Sequence, residues 1–91
     1  MSSFEYILKK DTFNIKDLAK IIKRETQTIR VWEKKGIILE ADMRGENNWR
    51  LYSKNRLIEV LEQILNYEWK RQVIKNTVEV YHLIEELKKQ Q

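Results

Sequence analysis

The chain contains no cysteine and no proline, only two glycines and a single histidine. Without cysteine there is no disulfide framework and no thiolate metal site. His82 has only Glu79, Glu85 and Glu86 as nearby acids, so neither a metal site nor a catalytic dyad is expected there. Gly36 and Gly45 stand too far apart to form a phosphate-cradling loop. Glu59 and Glu62 have no second catalytic group beside them and read as a solvated helix face. No enzyme, cofactor or metal is therefore expected. No apolar run approaches membrane-spanning length, and the N-terminus lacks the apolar stretch and small-residue cleavage site of a secretory signal. A soluble, cytoplasmic protein with no membrane partner is the expectation.

At 91 residues the chain fits one small domain with one appended element. A core of this size is marginal, and self-association would help it. The net charge is +4 and is unevenly placed. Between Ile15 and Arg56 stand eleven Lys/Arg against six acids, so this segment carries the whole basic excess. Such a balance suits a polyanion partner, although a solvated charged surface gives the same count.

The N-terminal arm, residues 1–12, is ambiguous. Phe4, Ile7 and Leu8 share a helical face, whereas Phe4, Tyr6 and Leu8 share a strand face. The arm is expected to pack on the domain or on a partner. Asn14 then reads as an N-cap, with Asp17 in the first turn and Phe13 and Leu18 at the staple positions. Ile15, Leu18, Ala19 and Ile22 form the apolar face of this first helix.

A second helix is expected from about Thr26 to Lys35, stopped by Gly36. Ile29 and Trp32 point inward. Gln27, Arg30, Val31 and Lys34 follow i, i+3, i+4, i+7 spacing and share an outer stripe. An amide, a guanidinium, a small apolar group and an ammonium on one stripe suit base edges and phosphates.

Ile37 to Leu39 and Trp49 to Tyr52 are expected to pair as two short strands. Between them lies a polar tip from Arg44 to Asn48, where Gly45, Asn47 and Asn48 favour a turn. Arg44 and Arg50 flank the tip. Trp32, Trp49 and Trp69 read as core or interface anchors rather than base-stacking platforms.

Ser53 looks like the N-cap of a third helix whose apolar side holds Leu57, Ile58, Val60, Leu61, Ile64 and Leu65. From there to Gln91 no glycine or proline occurs, so the helix can run on or break near Asn66 and restart. Val73, Thr77, Val80, Ile84 and Leu87 resemble a short heptad seam. The helix either folds back on its own domain or makes a dimer. The dimer is preferred here, because so broad an apolar face is hard for so small a core to cover.

Four pieces in order, Asn14-Ile15-Lys16-Asp17-Leu18-Ala19, Thr28-Ile29-Arg30-Val31-Trp32-Glu33, Gly36-Ile37-Ile38 and Asn48-Trp49-Arg50-Leu51-Tyr52-Ser53, resemble the winged helix-turn-helix of the MerR family. Excisionases and chromosome-anchoring proteins of the RacA type carry related domains. The resemblance covers about Phe13 to Leu65. It implies that Arg30 contacts DNA backbone, that Trp32 is a partly buried aromatic close to phosphate, that Arg50 is the wing arginine and that Tyr52 closes the wing onto the third helix. The family usually has glycine where Asn48 stands; asparagine tolerates the left-handed backbone that the turn needs. Sensor members add an effector module, often with metal-binding cysteines; with no cysteine here, no small-molecule effector is expected.

The expected architecture is thus mainly α with a small β-hairpin wing: an arm at 1–12, a winged helix-turn-helix at 13–65, and a C-terminal helix at 66–91 serving as dimerisation element. The expected function is sequence-specific binding of double-stranded DNA by a nucleoid-associated homodimer, as a transcriptional regulator or as an architectural, excision or partition factor. Gln27, Thr28, Arg30, Val31, Lys34, Arg44, Asn47, Arg50 and Tyr52 are the expected DNA-binding residues. The rival reading is a protein-interaction adaptor that works through the C-terminal helix.

Overall fold

The computed structural model describes the backbone of residues 5–71 and 75–90, and the side chains of residues 5–67 and 75–90. The elements follow in the order α1 (Glu5–Leu8), β1 (Thr12–Phe13), α2 (Ile15–Ile22), α3 (Thr26–Lys34), β2 (Met43–Arg44), β3 (Arg50–Ser53), α4 (Lys54–Arg71) and α5 (Thr77–Lys89). The architecture is a winged helix-turn-helix in which the wing is part of a small antiparallel sheet, followed by C-terminal helices.

Local chemistry sets the start of α2. Asp17 N–H donates to Asn14 Oδ1 at 2.9 Å, and Asn14 N–H donates to Asp17 Oδ2 at 3.1 Å. This reciprocal capping box satisfies two backbone donors that a helix start otherwise leaves open. Lys10 adds an ion pair to the same carboxylate at 2.6 Å. At the other end Lys23 takes a left-handed conformation (φ 56°), and Arg24 N–H reaches back to the Ala19 carbonyl. The chain turns sharply there and enters α3.

The end of α3 is as well defined. Gly36 has φ +78°, its N–H donates to the Glu33 carbonyl, and Ile37 N–H donates to the Trp32 carbonyl. That pair of bonds is the Schellman closure, which needs a residue free to adopt left-handed backbone.

Beyond Gly36 the structure departs from the expected hairpin. Ile37–Leu39 is not a strand. Ile38 is drawn into the core and Leu39 N–H donates to Gln63 Oε1 of α4 at 2.8 Å. With that donor taken by a side chain and Ile38 held inward, the segment has no ladder to join. The wing strand is instead β2, with Met43 opposite Leu51 and Arg44 opposite Arg50. On the other side of β3 lies β1, with Thr12 opposite Ser53 and Phe13 opposite Tyr52. The arm therefore supplies a sheet strand, and Ile7 of α1 is fully buried in the core.

The expected junction at residue 65/66 is not a break: α4 runs through it to Arg71. The C-terminal helix expected from residue 66 is replaced by two helices, α4 and α5, packed against each other. Val80, Leu83, Ile84 and Leu87 of α5 are buried in the same core as Leu18, Ile21, Ile22, Ile29 and Leu61. Of the expected seam, Val80, Ile84 and Leu87 are buried in the chain's own core, where α5 packs on α4 and α2, Thr77 is half-buried, and Val73 lies outside the described residues. A heptad-like spacing marks a buried face without saying which chain buries it.

Asn76, just ahead of α5, ties this helix to the helix-turn-helix. Its buried Nδ2 donates to the Ile21 carbonyl at 2.7 Å, in the last turn of α2. Side-chain amides suit this task because late-turn carbonyls of a helix lack partners of their own.

Candidate nucleic-acid interface

The helix-turn-helix positions α3 by burying one side of it. Ile29 and Trp32 face the core, and the Trp32 indole meets the Tyr67 ring edge-on with centroids 6.0 Å apart. Helical geometry then puts Gln27, Arg30, Val31 and Lys34 on the opposite side, and all four are exposed. Val31 is 37% exposed, a small apolar surface between polar neighbours. Thr28 is half-buried at the edge of the stripe.

The wing stands beside this face. Its turn is closed by Gly45 N–H donating to the Trp49 carbonyl at 2.9 Å, and Asn47 and Asn48 both have positive φ (59° and 62°). Asparagine pays less than other non-glycine residues for that conformation, so the turn keeps its shape without glycine at 48. Arg44, Asn47 and Arg50 are exposed, as expected for tip residues. Trp49 is 55% exposed, which excludes the core half of its expected role as a core or interface anchor.

Between α3 and the wing runs a groove of about 680 Å³. Arg30, Glu33 and Lys34 form one wall; Arg44, Asn47, Asn48, Trp49 and Arg50 form the other; Asn14 and Ile15, at the start of α2, close one end. The structure thus brings together five of the expected residues, namely Arg30, Lys34, Arg44, Asn47 and Arg50. Gln27, Thr28 and Val31 do not line the groove. Tyr52 is fully buried and lies outside the groove lining.

Sequence reasoning passed over Glu33. This residue follows Trp32 on α3, and its side chain is only 6% exposed. It pairs with the guanidinium of Arg50, whose side chain is 46% exposed. The second carboxylate oxygen, Oε2, and the Tyr52 hydroxyl are both buried and make no hydrogen bond. Burial first, and the Glu33 charge second, push the Tyr52 hydroxyl up to about 12, with Arg50 pulling the other way. The forward signals were its place in the Thr28–Glu33 piece of the family resemblance and an acid set among the basic residues of α3.

The foot of the wing is fixed by Asp42. Ser53 N–H donates to Asp42 Oδ1 at 2.9 Å, and the Ser53 hydroxyl donates to Oδ2 at 2.6 Å. Burial pushes the Asp42 carboxyl up, but the Ser53 bonds and nearby Arg56 outweigh it, so its pKa is lowered. Ser53 Oγ in turn accepts from Arg56 N–H at 3.2 Å, which makes it the N-cap of α4.

A helix, a tight turn, a second helix with an exposed polar stripe and a β-wing flanking it make a winged helix-turn-helix, a class built to present one helix to a DNA groove. The family described as "MerR HTH family regulatory protein" matches residues 13–66, more than half of the chain, and the protein belongs to that family. It is therefore a DNA-binding protein of a family of transcription regulators, and that family is regulatory rather than enzymatic. No curated protein sequence matches the chain. Among the described residues no helix is long and apolar enough to cross a membrane.

Proposed function

We propose that this protein binds double-stranded DNA sequence-specifically and regulates transcription, with α3 in the major groove and the wing on the adjacent phosphate track. The observation that carries this reading is the exposed Gln27, Arg30, Val31, Lys34 stripe beside a groove whose far wall holds Arg44 and Arg50. Gln27 and Val31, outside the groove, are assigned to base edges. Arg30 and Lys34 border both surfaces and are assigned to the phosphate path. Asn47 is placed at the wing tip against the backbone.

The reading assigns the protein to the nucleoid, in the cytoplasm, and gives these residues no small-molecule effector. It is favoured over the adaptor reading because Val80, Leu83, Ile84 and Leu87 of α5, which an adaptor would offer to a partner, are buried in the chain's own core. A homodimer on an inverted repeat stays compatible with it only through surfaces other than Val80, Ile84 and Leu87.

The test is selection of bound sequences from a random duplex pool, followed by the stoichiometry of the complex on the winner. Gln27→Ala should cost ~1–3 kcal/mol on the preferred site and little on mixed DNA, the mark of a base contact. An Arg30→Ala, Lys34→Ala double variant should weaken binding to all duplexes alike and flatten the salt dependence. Failure of any sequence to be enriched, or full affinity in the double variant, overturns the proposal. Strong binding to every sequence with marked bending would point to an architectural role instead.

A further inference from the structure

We propose that Glu33 is a positioning residue for DNA binding: its buried carboxylate holds the Arg50 guanidinium at the rim of the groove, aimed at a phosphate. The inference rests on the DNA-docking reading above and adds to it a role for an acid on the binding face.

Three observations converge on it. The first is the asymmetry of burial in the pair, 6% for the Glu33 side chain against 46% for Arg50. A surface ion pair between two mobile side chains is worth little and fixes nothing. Here one partner is immobilised by the helix that carries it, so the other is held by a fixed anchor. The second is valence. A guanidinium has five N–H donors, and Arg50 spends Nη1 on Glu33. Its exposed remainder keeps donors for a second anion. The third is place. Glu33 sits on α3 and Arg50 on β3, seventeen residues apart, and both line the groove between recognition helix and wing. The pair therefore bridges the two elements whose spacing a phosphate strand would have to match.

The cost of the arrangement is visible nearby. Glu33 Oε2 and the Tyr52 hydroxyl are left buried without partners, and the carboxylate raises the Tyr52 pKa. A buried acid with one oxygen unpartnered, set beside a polyanion site, is expensive on both counts. Simple charge counting says that neutralising Glu33 should improve affinity for DNA. Positioning says the reverse, and that opposition of sign makes the proposal testable.

The experiment uses the full chain and a mixed-sequence duplex, titrated over a range of potassium chloride, with parent, Glu33→Gln, Arg50→Ala and the double variant. Arg50→Ala should weaken binding about tenfold, as loss of one charged hydrogen bond does, and reduce the salt slope by ~0.9. Glu33→Gln should produce a similar loss and a similar change of slope, with its circular dichroism unchanged. In the Arg50→Ala background Glu33→Gln should cost nothing more. Tighter or unchanged binding by Glu33→Gln overturns the proposal, and so does an equal loss with and without Arg50. If Glu33→Gln fails to fold, Arg50→Lys decides. It keeps the charge but not the fork, so it should bind nearly as weakly as Arg50→Ala, and parental affinity would overturn the proposal. Parental affinity in both Arg50→Ala and the Arg30→Ala, Lys34→Ala variant would instead sink the docking reading itself.

Discussion

Replacing Leu87 by alanine distinguishes a tail that completes its own core from one that completes a dimer. Leu87 is 0% exposed within a single chain, in the last turns of α5. Removing a fully buried leucine side chain costs ~2–5 kcal/mol, part in lost transfer energy and part in the cavity left behind. A domain of this length has roughly 5–14 kcal/mol in total. At ~3 kcal/mol the melting temperature should fall by about 12–24 °C. The control is Tyr81→Ala on the same helix, where the ring is 58% exposed and the change should stay within ~0.5 kcal/mol. Circular dichroism melts recorded over a wide range of protein concentration supply the readout. The fall should be the same at every concentration, because a core contact within one chain is not subject to mass action. A Leu87→Ala protein that melts like the parent refutes the reasoning. A parent whose melting temperature climbs with concentration, and a variant that survives as a folded monomer, would refute it too.

Two further outcomes follow from backbone and burial. Gly36→Ala should lose ~1 kcal/mol or more in a denaturant melt, since φ +78° is a conformation L side chains rarely adopt and open space around the site offers no compensating contact; an unchanged midpoint would contradict the closure described for α3. Tyr52, raised from 10.0 to about 12, favours its protonated form in the fold, so its contribution is complete below pH 10 and is lost as pH rises towards 12. The loss amounts to as much as ~2 kcal/mol. In a phenolate absorbance titration the parent should show a step near pH 12 that Tyr52→Phe removes, and a parent without that step would contradict the buried position.

What could be read from the sequence was local. Asn14 with Asp17, Gly36, and Ser53 before Lys54 are signals whose partners lie within a few residues, and each marks the helix end it was expected to mark. The stripe on α3 was legible for the same reason, because one helix turn relates its members. The parts that escaped are non-local. Two residues of β1 hold no period, and they become a strand only because β3 has a free edge. Met43 and Arg44 carry no alternation that would outrank Ile37–Leu39, and the strand moved because Gln63, far along the chain, claims the Leu39 N–H. The packing of α5 on the core has no local signal either, since the Asn76 bond to Ile21 spans 55 positions. Glu33 and Arg50 were each visible, yet nothing in the spacing of the two announces a pair.

Ser53 has a further consequence for how the wing meets its partner. It ends β3, pairs with Thr12, is gripped by Asp42 and caps α4, which begins at the very next residue. No linker separates hairpin from helix, so the wing has no hinge at its base. Its conformational entropy is therefore spent during folding rather than at the moment of docking. A wing held this way should add little ordering penalty to the binding entropy, and it should associate at the rates of a preformed surface rather than those of a segment that must fold on contact.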